Sequence, residues 1–263
     1  MTIAFSKYHG AGNDFVLIDN RDKNLKLSTD NIAFICNRHF GIGADGLMLL
    51  NASDAYDFEM VYFNSDGNES TMCGNGGRCI TAFAASLGLI NDKTNFIAID
   101  GEHQATIINN NADLFQVRLK MNDVSEFKMY NNDFILNTGS PQYIKFVKDV
   151  KSIDVYNEGK AIRNNKEISE KGVNVDFVEI KEDYLFVRTF ERGVEDETLA
   201  CGTGVTASAI AYALNNDVEI VKIKTLGGEL KVSFTKDKDY TFKNIWLEGP
   251  AQFVFKGELV INE

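Results

Sequence analysis

Two short stretches of this chain place a thiol where it could move a proton. One is Met72-Cys73-Gly74-Asn75-Gly76-Gly77-Arg78-Cys79, the other Ala200-Cys201-Gly202-Thr203-Gly204-Val205, and each runs into an apolar helical pattern. In both, glycine follows the cysteine at the first and third positions. The two cysteines lie 128 positions apart in a chain of 263, as they would in a duplicated half-molecule. The first N–H groups of a helix have no partner within it, and the helix dipole adds partial positive charge there. Glycines let that backbone approach an anion closely, so a carboxylate can be cradled. A cysteine in the same field is shifted toward thiolate. Two such mouths facing each other across a domain interface would hold one carbon between two proton-transfer groups. A buried cysteine beside glycine can also be plain packing, but a repeat at half-chain spacing with matching helices favours chemistry.

The other reactive residue types carry less. Cys36 falls in an apolar helical pattern and reads as core. Cys79, six residues beyond Cys73, matches no metal or redox spacing and reads as packing. His9 is one of only three histidines, none with ligand spacing, so no metal site is expected. Arg78 lies in the first turn of its helix, where a cation opposes the dipole, which leaves its purpose to a contact outside local sequence. Gly41-Ile42-Gly43-Ala44-Asp45-Gly46 matches G-x-G-x-x-G, but a helix precedes it and a strand follows. That reverses the dinucleotide-binding context, and the match is rejected. Net charge is −11 with no basic block, which argues against nucleic acid. No signal-peptide pattern or membrane-length apolar run is present, so a cytoplasmic protein with reduced thiols is expected.

The elements that must position these groups are mostly strands. Ile3–Tyr8 and Phe15–Ile18 flank a glycine-rich turn containing Asn13, which suits either a turn role or a ligand contact. Phe58–Phe63 leads into Asn64-Ser65-Asp66-Gly67 and so to Cys73. In the second half, strands at 173–180 and 184–190 end at Glu191-Arg192-Gly193, just before Cys201 and well placed to meet a substrate. The helix after Cys201 is small or apolar almost all round, the mark of a central buried helix. The polar stretch from Asn122 to Asp133 is the best crossover between domains. No βαβ alternation recurs through either half, so the class is α+β with two similar domains.

With these segments in view, the chain resembles the diaminopimelate epimerase family over essentially its full length. The resemblance is carried by FSKYHGAGNDFVLID, NRHFGIGADGL, YFNSDGNESTMCGNGGRC, NTGSPQY, GVNVDF, ERGVEDETLACGTG and GPAQFVFKGEL. It implies two pseudo-symmetric domains, each a β-barrel-like sheet around a central helix, with the active site in the cleft between them. By the same resemblance residues 1–121 with 251–263 form the domain carrying Cys73, and residues 122–250 the one carrying Cys201. It further implies Cys73 and Cys201 as the acid–base pair, and Asn13, Asn64, Gly74, Asn75, Asn174, Glu191, Arg192, Gly202 and Thr203 around the substrate. No cofactor is implied; a cytoplasmic homodimer on the route to lysine and peptidoglycan is. The substrate would be a diamino diacid whose LL and meso forms are interconverted. Gly46, Ser140 and Gln142 are further substrate-contacting or tuning positions. Family members commonly carry His where Gln142 stands, and many carry Gln where Gly46 stands. The segment from Glu191 to Cys201 is one residue longer than usual, with an acidic loop at 194–197. The competing readings are a related cofactor-independent racemase of other specificity and, from another class, a thiol redox switch in a binding protein.

Overall fold

A computed structural model of the chain describes residues 1–261. The chain divides into two units, Met1–Leu119 with the segment from Gly249 onward, and Lys120–Glu248.

The first unit contains β1 (Thr2–Gly10), β2 (Asn13–Asp19), α1 (Thr29–Cys36), β3 (Gly46–Asn51), β4 (Phe58–Asn64), β5 (Glu69–Ser70), α2 (Gly74–Ser86), β6 (Lys93–Ala98), β7 (Gly101–Asn111) and β8 (Leu114–Lys120). Its pairings form a ring: β1–β2–β3–β4–β6–β7–β8, then the chain's last strand, which returns to β1. A ring of eight strands has no free edge, and its interior is filled by side chains. Here the filling is α2, buried at every residue from Gly74 to Ala84. Small residues let the helix lie close to the surrounding strands, and Gly76, Gly77, Ala82 and Ala84 serve this among the larger Arg78, Ile80 and Phe83. At Gly77 an added Cβ would come within 3.0 Å of Leu119 and Met72.

The second unit contains β9 (Phe127–Tyr130), β10 (Asp133–Asn137), β11 (Pro141–Val147), a 3-10 turn (Val150–Ser152), α3 (Val155–Arg163), β12 (Asn174–Ile180), β13 (Leu185–Glu191), β14 (Asp196–Thr198), α4 (Gly202–Leu214), β15 (Ile220–Lys224), β16 (Glu229–Lys236) and β17 (Phe242–Val260). The order repeats the first unit. In each, an antiparallel pair is followed by a parallel neighbour, an antiparallel hairpin partner, and a second parallel neighbour reached through the central helix. Thus β10, β11, β12, β13 and β15 correspond to β1, β2, β3, β4 and β6, and α4 corresponds to α2.

Two sequence-based expectations are corrected here. Each unit does contain βαβ crossovers: β2–β3 over α1 and β4–β6 over α2, then β11–β12 over α3 and β13–β15 over α4. Parallel partners require such a crossover. The sequence hides it because the short strands β5 and β14 interpose hairpins before α2 and α4. Second, the apolar pattern near the end of the sequence also suggests two separate strands, at 245–247 and 253–261, whereas the structure has one 19-residue strand, β17. Gly249-Pro250 reads locally as a breaker, yet both residues stay in register with Val117 and Gln116 of β8.

Candidate active site

In the first unit, Cys73 is the N-cap of α2, and its Sγ accepts a hydrogen bond from the Gly76 N–H at 3.1 Å. Short polar side chains at this position normally satisfy the helix's unpaired donors; here a half-buried sulfur does so. Asn13 opens β2, with its Oδ1 3.9 Å from the Cys73 sulfur. Its Nδ2 donates to Asp45 Oδ2 at 2.7 Å and its Oδ1 accepts from Asn75 Nδ2 at 3.2 Å, so the amide is held from both sides. Asn75 is buried, and its Oδ1 accepts from Arg78 Nη2 at 2.7 Å. Gly46 pairs with Phe15 on one side and Asn64 on the other, which places the start of β3 and the end of β4 beside the start of β2. A Cβ on Gly46 would lie 2.5 Å from the Tyr62 ring, so in this chain the ring fills the space that a side chain at position 46 would need.

The second unit repeats the arrangement. Cys201 is the N-cap of α4 but makes no capping bond with its side chain. Its Sγ lies 3.4 Å from Thr203 Oγ1. Gln142 Nε2 donates to the same hydroxyl oxygen at 2.8 Å, and Thr138 Oγ1 donates to the Thr203 carbonyl. Gln142 pairs with Asn174 across β11 and β12 in the register that Phe15 and Gly46 occupy in the first unit. Asn174 Nδ2 donates to Ser140 Oγ at 3.2 Å, and its Oδ1 accepts the Arg192 N–H at 2.8 Å. Glu191 ends β13, where Asn64 ends β4, and Glu191 Oε2 accepts from Thr198 Oγ1. Arg192 Nη1 donates to the Gly172 carbonyl. Gly202 and Thr203 form the first turn of α4, as Gly74 and Asn75 form that of α2.

The two sulfurs differ in surroundings. Cys201 is 4% exposed, and its thiol is held well above its ordinary pKa, by burial first and then by the carboxyl groups of Glu191 and Asp176. Asp176, on β12, is fully buried. Its Oδ1 accepts from Thr189 Oγ1 at 2.7 Å, while Oδ2 has no hydrogen-bond partner. Burial pushes this carboxyl up to about 7 against the lowering effect of Thr189, with Glu191 adding to the rise. In the first unit Asp14 behaves oppositely. Burial would raise it, but Arg38 and Lys7 outweigh that and hold it at about 2.

Sequence reasoning did not single out Asp45, which anchors Asn13, or Asp176, which lies beneath the start of α4. The signal for Asp176 was present: an acidic residue inside the apolar run Val175-Asp176-Phe177-Val178. The acidic loop at 194–197 is engaged elsewhere, Glu195 with Arg163 at 2.9 Å and Glu197 with Arg188 at 2.6 Å. Cys36 and Cys79 are buried as expected, their thiols raised by burial, Cys36 to about 12. Position 41–46 runs from α1 into β3, the reverse of a dinucleotide site.

Comparison with known proteins agrees with this geometry. A family profile described as diaminopimelate epimerase matches residues 5–125 and again residues 134–254, one match for each half. A diaminopimelate epimerase of Flavobacterium psychrophilum is 49% identical over 254 residues, covering 95% of this chain and 97% of the relative. One from Chlorobaculum tepidum is 42% identical, covering 96% and 99%. Among solved structures, a PhzF-family phenazine biosynthesis protein from Bacillus anthracis superposes with a TM-score of 0.79 at 18% identity, covering 99% of this chain and all of that one. A hydroxyproline epimerase from Agrobacterium vitis superposes with a TM-score of 0.72 at 12% identity, covering all of this chain and 93% of the other. These two likenesses concern the fold.

Proposed function

We propose a two-thiol proton-transfer mechanism for this chain, which belongs to the diaminopimelate epimerase family. It is an isomerase, and its reaction interconverts LL- and meso-2,6-diaminopimelate in lysine biosynthesis. One sulfur, as thiolate, removes the proton from the α-carbon. The other, as thiol, returns a proton to the opposite face. A carbon acid beside a carboxylate is very weak, so the charge that develops on that carboxylate needs preorganised donors. The opening turns Gly74-Asn75 and Gly202-Thr203 supply backbone N–H groups and the positive ends of two helices. The pair holds one proton between two thiols and titrates as a coupled unit. Asn13, Asn64, Asn174, Glu191 and Arg192 are assigned to the distal amino and carboxylate groups. Ser140 and Gln142 orient Asn174 and Thr203, and Gly46 contributes backbone. No cofactor is required by this scheme. The family reading carries with it a cytoplasmic homodimer, for which sedimentation and fractionation are the direct measurements.

The observation that carries the proposal is the cysteine N-cap on the central helix of each of two topologically matching units. Incubation with LL-diaminopimelate in deuterated water tests it. Deuterium should appear at one α-carbon, and Cys73→Ala and Cys201→Ala should each lose turnover. Full epimerisation by either variant would end the two-thiol account.

A further inference from the structure

The repeated scaffold puts groups of opposite charge type beneath its two thiols. Below Cys73 lies Arg78, fully buried at the core of α2. Its guanidinium donates to the Gly74 carbonyl at 3.2 Å, to Asn75 Oδ1 at 2.7 Å and to the Pro250 carbonyl at 3.3 Å. All of these are neutral acceptors, and among the described residues no carboxylate forms an ion pair with it. A buried cation satisfied in its hydrogen bonds but not in its charge favours an anion nearby. Cys73 and Cys79 are the groups whose charge it feels. Cys79 is sealed in the barrel interior, whereas Cys73 is half-buried and already accepts an N–H at the helix start. Of the other charged groups on elements packed against α2, Lys7 and Asp14 pair with each other at 2.7 Å. Asn13 Oδ1, at 3.9 Å, opposes a charged sulfur only weakly.

Below Cys201 the corresponding position on the helix is Thr206, and no cation stands there. The charged groups that act on this thiol are Glu191 from β13 and Asp176 from β12. Asp176 presses against the first turn so closely that a Cβ on Gly204 would lie 2.2 Å from its Oδ1. Lys236 binds the Ala213 and Leu214 carbonyls at the far end of α4. The Thr203 hydroxyl and the Gly204 N–H are the donors near the sulfur that favour thiolate. A carboxyl with an unpartnered oxygen, a second carboxyl and almost complete burial act against it.

Building on the two-thiol reading, we propose that Arg78 and Asp176 are positioning residues that fix where the shared proton rests. Arg78 makes Cys73 the resting thiolate, and Asp176 keeps Cys201 the resting thiol. The substrate-free enzyme is thereby set to take a proton through Cys73 and to give one through Cys201. In the reverse direction the thiols must exchange these states, and the same two groups oppose the exchange.

The test uses thiolate absorbance near 240 nm in substrate-free protein titrated from pH 5 up to the alkaline limit of the fold, so that the Cys201 midpoint, held above 9, is approached as well. At pH 7 the signal should vanish in Cys73→Ala and persist in Cys201→Ala. A signal that persists in Cys73→Ala overturns the assignment. Adding Asp176→Asn to Cys73→Ala should bring the Cys201 midpoint down by at least about one pH unit, roughly a tenfold gain in thiolate at fixed pH. An unmoved midpoint removes Asp176 from the scheme. Arg78→Met should raise the Cys73 midpoint and Arg78→Lys should restore it; if Arg78→Met does not fold, the cysteine and Asp176 variants still decide. Deuterium exchange by the wild type is read separately. Its absence would reject the function while leaving the thiol titration standing, and its presence with indistinguishable thiols would reject only this proposal.

Discussion

At the scale of single residues, the two units differ in their acids, one half-buried and one fully buried. Asp14 has its charge matched by Lys7 and Arg38, whereas Asp176 has one hydroxyl and an unpartnered oxygen. The consequences for stability run in opposite directions. Asp14 is held at about 2, below the unfolded value of 3.8. Its contribution is therefore complete above about pH 4 and is lost as pH falls through 2. Asp176 sits at about 7, above the same unfolded value, so the folded state binds more protons than the unfolded between those limits. Stability consequently declines as pH rises from about 4 through 7. Asp176→Asn, which keeps the acceptor for Thr189, should stabilise the protein at pH 8 by roughly 2–4 kcal/mol and change little at pH 4. Urea titrations at the two pH values check this. Equal gains at both would mean that charge is not the cause. Lys7→Met, which removes one partner of the part-buried Asp14, should make acid unfolding begin at higher pH, read by circular dichroism.

At the scale of elements, the deciding feature is how tightly each central helix begins against its sheet. Gly204→Ala sets a methyl group against the Asp176 carboxylate, backed by β12, which is buried from Asn174 to Glu179. Overpacking of this kind costs about 1–3 kcal/mol, and the shift of the first turn should also lower kcat by more than it raises KM. Thermal melting and steady-state kinetics measure the two effects. Much of this level was legible in the sequence. The cysteine and its glycines announced both helix starts, and the small-residue composition of 205–214 announced a helix enclosed by strands. Other features were not. The pairing of Phe15 with Gly46, and of Gln142 with Asn174, depends on parallel partners separated by some 30 residues, and no local period records them. Arg78 looked misplaced because the helix dipole was the only visible term. Its actual partners are Gly74 and Asn75 on its own turn and Pro250, 172 residues away. At Gln142, where the family resemblance implies a histidine, an amide donates to the Thr203 hydroxyl beside the sulfur, a contact that no local sequence signal records.

At the scale of the whole molecule, the two units share one strand. The first part of β17 pairs with β16 in the second unit, and its later part closes the first unit's ring between β8 and β1. A chain ending at Glu248 would therefore leave β1 and β8 with open edges and should aggregate or lose the fold of the first unit, as seen by light scattering and hydrogen exchange. With the strand intact, calorimetry should give one unfolding transition rather than two. Each repeat also borrows. The strand after β8 is β9, which serves the second unit, and the segment after the second unit's final stretch of β17 serves the first. The duplication is thus closed head to tail, with the Met1 amino group donating to the Ile261 carbonyl at 2.7 Å. A protein built this way cannot lose its second unit by simple truncation, because the stave that closes the first ring lies beyond it in the chain. Shortening from the end that removes Cys201 therefore opens the ring around the helix that Cys73 caps.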